Sequence, residues 1–459
     1  MHTYIIRRLL LMIPTLLGIT LVVFTVMALS PGGISAQSLV EGLNLEPQAK
    51  KALEDYYNRL YGLDQPPPVQ YLRWLNNASP VGFVFDGQGA VEGFSLTKGS
   101  DLGRSFRYGR PVIDLVGERV PITLLLNLLS VPIIYVVAIA VGVRAAVERG
   151  RPFDLGSTAV MLGLWSVPTM LAGVLLIGFL ASEQYWHWFP TAGLNRREAL
   201  DMPFLPHWGS LGDLLTLFGA MAAATAGAVL LALKAPRLPR VAALAALGVG
   251  LGVWMASALP EPGPGAALAI ALILGGTLGA LGYTDYTGLR VGLVGCIGVL
   301  LGAIVGARLG EGDFVRGFLL DRAWHLVLPV LCLTYTGFAF LSKLTRTAVL
   351  ENLLADYART ARAKGVSERQ VLWKHVFRNS LLPLITVSAT LLPGLLAGSV
   401  IVESIFSIEG MGKLAVEAVQ TRDRELVLSI TLISGLLTLG GYLVADLCYA
   451  IADPRVSYD

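Results

Sequence analysis

The residues that could do chemistry in this chain are few, and each fails a test of pattern or spacing. Gly410–Leu414, "GMGKL", echoes a phosphate-binding loop but lacks the first glycine and the closing Ser/Thr of G-x-x-x-x-G-K-[ST]. The chain is therefore not expected to hydrolyse ATP. Gly310–Asp313, "GEGD", has an aspartyl-protease look, with Asp285 as its partner. The two acids lie at opposite ends of one apolar run. At ~1.5 Å per helical residue they would stand up to roughly 40 Å apart, too far for a carboxylate dyad. No H-E-x-x-H and no G-x-S-x-G occurs. His187 and His207 sit beside Trp186, Trp188 and Trp208, the composition of an interfacial aromatic belt rather than a metal site. Cys296, Cys332 and Cys448 lie in separate apolar runs, so packing is their expected role. No catalytic residue, cofactor or metal is expected.

What must position any functional residue here is a membrane bundle. The 459 residues are 54% hydrophobic and 15% charged, against about 25% charged in soluble domains. The net charge of +3 is too small to imply nucleic acid. Ten apolar runs approach the ~20 residues of a bilayer crossing: Leu9–Leu29, Pro121–Val143, Leu155–Ala181, Leu214–Leu233, Val241–Leu259, Ala266–Tyr283, Val291–Ala307, Leu326–Ser342, Ser380–Val402 and Leu426–Ala450. In lipid these must be helices, since no water is present to satisfy backbone groups. The first run is too long for a signal-peptide core and reads as an uncleaved span. The fold class expected is an all-α integral membrane protein, a polytopic bundle of about ten transmembrane helices.

Lys and Arg in short loops set the orientation. Arg7 and Arg8, then Arg144, Arg149 and Arg151, then Lys234, Arg237 and Arg240, fall on one side if every run spans. So do the eight Lys/Arg between Lys343 and Arg378. That side is expected to be the cytoplasm, with the N-terminus inside. Thr284–Arg290 fits poorly because it is nearly neutral. The spans carry almost no mid-membrane ionisable residue, so coupling to an ion gradient is not indicated. The loop from Ser30 to Val120 is expected to be a variable surface loop, with a possible hairpin in its Gly-rich centre.

One segment exceeds what orientation needs: "DYARTARAKGVSERQVLWKHVFRN", Asp356–Asn379. Gly365 divides it. Glu351–Lys364 favours helix, and Ser367 could cap a second helix running to about Asn379. Leu372 and Val376 share a face, as do Trp373 and Phe377. The segment could be a plain basic loop, a helix lying on anionic lipid, or a docking knob for a partner. The sequence pattern leaves all three open.

This segment resembles the EAA loop of ABC importer permeases of the dipeptide/oligopeptide/nickel type. The resemblance runs on through "RRLLLMIPTLLGITLVVF", "GLDQPPPVQYLRWL", "DLGRSFRYGRPV", "SVPTMLAG", "HLVLPVLCL", "IFSIEGMGKL", "RDRELV" and "DPRVSY", in the family's order. It fits the first permease of the heteromeric pair. Departures occur at Arg359-Thr360, where the generic motif has Glu-Ala, and at Ile408-Glu409 and Arg424-Glu425, and "SPGGI" lacks the family's P-G-D-P.

The resemblance implies six family spans plus four inserted ones. It implies a first span over 1–29, a periplasmic loop domain over 30–120, second and third spans over 121–209, an inserted segment over 210–318, and a core region over 319–459. Within that core lies the coupling loop, 343–379. An even number of inserted spans keeps the coupling loop on its side. Their small-xxx-small spacings (Gly248/Gly252, Gly275/Gly279, Gly298/Gly302/Gly306) suit close helix packing. The ATPase-coupling residues implied are Asp356, Tyr357, Arg359, Ala361, Ala363, Lys364 and Gly365. The partners implied are two ATP-binding-cassette subunits, a second homologous permease, and a periplasmic or extracellular binding protein. The expected cargo is di- or oligopeptide. A nickel or other small-solute importer, a non-transporting membrane scaffold and a secondary carrier are the alternatives. Pore-lining residues are expected on Leu155–Ala181, Leu326–Ser342 and Ser380–Val402.

Overall fold

A computed structural model describes residues 2–30, 46–61, 63–85, 91–207, 211–257, 259, 264–284, 287–309, 315 and 317–452. The Gly310–Asp313 and Asp285 pair and the "DPRVSY" end lie outside the described residues. The chain forms two compact units, residues 1–171 with 329–459, and residues 172–328.

Each of the ten apolar runs forms helix, the third in two pieces and the fifth as far as Ser257. The long helices are α1 (His2–Leu29), α4 (Val112–Val147), α7 (Leu211–Lys234), α8 (Arg237–Ser257), α9 (Pro264–Tyr283), α10 (Thr287–Leu309), α11 (Gly317–Leu354), α13 (Phe377–Ile405) and α15 (Arg424–Ala452). Shorter ones are α2 (Pro47–Tyr61), α3 (Pro67–Ala78), α5 (Pro152–Ser166), α6 (Thr169–Leu176), α12 (Asp356–Ala363) and α14 (Met411–Gln420). Among the described residues seven helices are long and apolar enough to cross a membrane, and eight if a bent pair counts as one span. That bent pair is the third run. It breaks by 93° between Ser166 and Thr169. Pro168 disfavours helical geometry at Val167, which is extended at φ −84°, ψ 121°. The freed Val167 carbonyl accepts from Tyr335 Oη at 2.7 Å.

The first unit has its core where α4, α11 and α13 meet. Ile134 and Ala138 of α4 bury against Leu341 of α11 and Leu384 of α13. α11 is the most enclosed of the candidate spans, with two thirds of its apolar window buried. Gly142 makes the α4–α11 approach possible: a Cβ there would fall 2.6 Å from the Ser342 carbonyl. The carboxylate of Asp154 takes a bidentate bond from Arg346, with Nη2 at 2.8 Å, and also accepts from Gly150 N at 2.8 Å.

The loop after α1 is not a plain surface loop. Tyr71, Trp74 and Ala78 of α3 are buried with Phe24 of α1, Leu115 of α4, Leu414 of α14 and Leu426 of α15. The YLRW spacing puts Tyr71 and Trp74 on one helix face, and that apolar face demands cover. The Gly-rich centre does form a hairpin, β1 (Gly82–Phe85) against β2 (Val91–Ser95), antiparallel with a bulge at Val84/Phe85.

The second unit holds two tight helix pairs, α7 with α10 and α8 with α9. Glycines set both. A Cβ at Gly302 would strike Met221 Cα at 2.4 Å, and one at Gly252 would strike Ala271 Cα at 2.5 Å. In lipid, packing and not hydrophobicity holds helices together, so small residues at the seam are what allow it. Ala232, Leu244 and Val294 join the two pairs. Two arginines lie against the end of α9, ahead of the near-neutral Thr284–Arg290 segment. Arg240 Nε donates to the Gly282 carbonyl at 2.8 Å, and Arg237 stacks on the Tyr283 ring at 3.9 Å. Of the tryptophans expected in an aromatic belt, Trp186 and Trp188 stack on each other, Trp188 stacks on Trp254, and Trp186 Nε1 donates to the Met255 carbonyl at 2.9 Å; Trp208 lies outside the described residues. Buried ionisable groups are more numerous than the sequence suggested. His325 Nδ1 sits 3.4 Å from Asp321, whose carboxylate accepts from Arg196 N at 2.9 Å.

Candidate functional site

The segment from Asp356 to Val376 forms a knob at one end of the first unit. α12 follows Ala355, which is extended at ψ 151°, and closes on Gly365 at φ +77°. Val366 N bonds the Ala361 carbonyl at 3.2 Å, and Gly365 N bonds the Arg362 carbonyl at 2.9 Å. These are the two bonds of a Schellman cap, with glycine in the left-handed position that a Cβ disfavours. Val366 and Ala361 share a cluster, which is the apolar contact such a cap carries.

The knob is seated by its apolar face. Ala358, Ala361, Val371 and Val376 are buried with Val143 and Ala146 of α4 and Val349 of α11. Arg362 fastens the corner, with Nη1 on the Leu353 carbonyl at 3.2 Å and Nε on Glu368 Oε1 at 2.9 Å. Tyr357 Oη donates to Asn352 Oδ1 at 2.5 Å. On the opposite face Asp356, Tyr357, Arg359, Ala363, Lys364 and Gly365 are exposed. The Asp356–Arg359 pair at 3.6 Å is solvent-screened and holds little.

Six of the seven expected coupling residues therefore share the outward face. Ala361 does not: it points into the bundle and positions the knob. The sequence carried the sign of this, since Ala358 and Ala361 stand i, i+3 on a mostly polar helix. Ala358, Val366 and Arg362 belong to the same device and were missed. The second helix also differs from expectation. Ser367 makes no side-chain cap, and Glu368–Gln370 runs through a π-helical turn, Val371–Val376, straight into α13. The wider turn puts both Val371 and Val376 in the seat, five residues apart, which a regular helix would turn away from each other.

At the other end of the unit a second polar cluster ties the loop after α1 to α14 and α15. Thr123 Oγ1 donates to Glu403 Oε1 at 2.7 Å and accepts from Met411 N at 2.9 Å. Glu403 Oε2 accepts from Lys413 N at 2.9 Å. The carboxylate thus satisfies the first amides of α14, where a negative charge is favoured. Glu409 bonds Lys413 Nζ at 2.6 Å and pairs with Arg119. Burial alone would lift the Glu409 carboxyl, but Lys413 and Arg119 outweigh it and hold it below the usual range. Asp423 accepts from Ser105 Oγ, from Arg107 N at 3.1 Å and from Leu426 N at 3.2 Å. Burial pushes its carboxyl above the usual range against the pull of these donors. Glu409, read in the sequence as part of a departure, is a working part of this cluster.

Two family patterns match the chain. "Binding-protein-dependent transport system inner membrane component" covers residues 248–458, and the corresponding "N-term" pattern covers residues 1–127. The oligopeptide transport system permease protein AppB of Bacillus subtilis is 29% identical over 459 positions, covering all of both chains. The dipeptide transport system permease protein DppB of Escherichia coli is 27% identical, covering all of this chain and 99% of the relative. The peptidoglycan transport system permease protein YejB of Agrobacterium fabrum is 25% identical over a similar extent.

Proposed function

The chain belongs to the inner membrane components of binding-protein-dependent transport systems, and on that footing we propose that it forms half of a peptide pathway driven by separate ATPases. It is a transport permease and not an enzyme. Peptide as cargo rests on the likeness along the whole chain to oligopeptide and dipeptide permeases. The remaining parts are two ATP-binding-cassette subunits, a second homologous permease and a binding protein that delivers substrate. The chain sits in the cytoplasmic membrane with its N-terminus and knob in the cytoplasm, as its Lys/Arg distribution favours.

The observation that carries the coupling role is the two-faced knob. Its apolar face is locked onto α4 and α11, while Asp356, Tyr357, Arg359, Ala363, Lys364 and Gly365 are exposed. A surface element held that firmly can pass a push from an ATPase to two long helices. ATP binding draws the ATPases together, the knobs follow, and the helices alternate access.

The test is co-purification of the tagged chain from native membranes with its ATPase, comparing wild type with Gly365→Asp. We expect an ATPase with the wild type, its loss or uncoupling in the variant, and unchanged membrane insertion. Normal uptake by Gly365→Asp would overturn the coupling role. If no ATPase accompanies the wild type under mild conditions, a non-transporting scaffold becomes the better reading.

A further inference from the structure

A cavity of ligand size opens in the first unit, away from the knob. Its volume is about 340 Å³, within the span of small-molecule sites. At ~30 Å³ per water it could hold about ten waters or a few linked residues. Its walls include Arg73 and Trp74 of α3, Asp101 and Arg104 of the loop before α4, and Arg424 and Glu425 at the start of α15.

The charges divide into used and unused. Arg424 and Glu425, both buried, satisfy each other through Arg424 Nε and Glu425 Oε1 at 2.9 Å. Arg424 Nη1 also donates to Gln70 Oε1 at 2.7 Å. Arg73 and Arg104 have no ion pair among the described residues. Asp101 is exposed and accepts from Gly103 N at 2.9 Å, leaving acceptor capacity free. Trp74 is 3% exposed, and its Nε1 finds no acceptor among the described residues. Buried N–H groups of this kind usually have a partner. Two guanidinium groups and one carboxylate on the cavity walls are therefore open to a ligand.

The walls are fixed before any ligand arrives. The loop closes through Ser105 N to the Arg110 carbonyl at 3.0 Å and Val112 N to the Gly103 carbonyl at 2.9 Å. Gly103, at φ +76°, lies so close to Glu425 that a Cβ would stand 3.0 Å from Oε2. A rigid site loses little entropy on binding.

We propose that this cavity is a recognition site for a small zwitterionic peptide, separate from the helix-lined pathway. The peptide carboxylate is held by Arg73 and Arg104 and its ammonium by Asp101. The charge pattern alone specifies a small zwitterion; that it is a peptide rests on the transport reading above.

The experiment is calorimetric titration of the full chain in lipid nanodiscs with trialanine, its C-terminal amide and its N-acetyl form. Trialanine should bind saturably to one site. The amide should bind about tenfold more weakly or worse, as expected for loss of a charge-assisted pair. The Arg73→Gln/Arg104→Gln double variant should lose the same factor with trialanine and show no preference between acid and amide. Asp101→Asn should erase the preference over the N-acetyl form. No saturable binding, or equal binding of acid and amide to wild type, overturns the proposal without any variant. Uptake of trialanine through the complete importer separates the two readings. Uptake without binding here removes the cavity and leaves transport standing. Binding without ATP-driven uptake of any peptide keeps the site and removes the transport reading.

Discussion

Thr123 Oγ1 stands 2.7 Å from Glu403 Oε1 and 2.9 Å from Met411 N, so one hydroxyl joins α4, the end of α13 and the first turn of α14. The hydroxyl can do this because it donates and accepts at once. Gly410 lies against the same carboxylate, where a Cβ would fall 2.3 Å from Glu403 Cδ.

Glu403→Ala leaves the Thr123 hydroxyl and the Lys413 amide unmatched in a buried place. A loss of about 2–4 kcal/mol is expected, since each orphaned buried group costs about 1–3 kcal/mol. Gly410→Ala should cost about 1–3 kcal/mol by overpacking. The double variant should lose less than the sum, because removing the carboxylate makes room for the methyl. Thermal unfolding in detergent checks this, and strict additivity would contradict the shared site.

Tyr108 Oη donates to Glu417 Oε2 at 2.5 Å between the loop before α4 and α14. Burial, then the bond and charge of Glu417, push the phenol up to about 12 from 10.0. A raised folded value means the contribution is fully present below pH 10 and fades as pH climbs towards 12. Ultraviolet difference titration of wild type against Tyr108→Phe should place one tyrosine in that window. Stability that falls below pH 10 on account of Tyr108 would count against the bond.

Gly365 has open space around it, with nothing within 4 Å of an added Cβ, so only its backbone angle resists substitution. Asn, which tolerates the left-handed region, should be mild. Ala should cost about 1 kcal/mol, and Val more because it is β-branched. Stability should follow Gly, Asn, Ala, Val, measured as protease resistance at the knob. An order set by side-chain size alone would indicate crowding instead.

Two further Schellman caps lack glycine. Ser407 at φ +50° and Arg422 at φ +53° hold the left-handed position after α13 and α14. Their caps are marked by Ile408 N to the Glu403 carbonyl at 2.8 Å and Asp423 N to the Ala418 carbonyl at 2.9 Å. Ser407→Gly and Arg422→Gly should each stabilise the chain by about 1 kcal/mol, the left-handed penalty less the entropy glycine adds to the unfolded state. A fall in melting temperature for both would show that the side chains carry weight of their own.

The sequence by itself determined the helices, because each apolar run is about one bilayer long and a backbone in lipid must bond within itself. It determined the glycine seams of the second unit, since a repeat of small residues is a local pattern. It also marked the knob, whose left-handed corner favours glycine. The tertiary structure decided the rest. Only folding shows that Ala361 faces inward while Lys364 faces out, since the buried side of α12 is set by Val143 and Val349, far away in the chain. Only folding turns Ser105 and Asp423 into partners, and only it sets Arg73 and Arg104 around a cavity without an ion pair among the described residues while Arg424 and Glu425 answer each other. A periodicity reports which residues want cover. It carries no information on which distant side chain supplies that cover, because polar pairs are made by close approach in space and not by spacing along the chain.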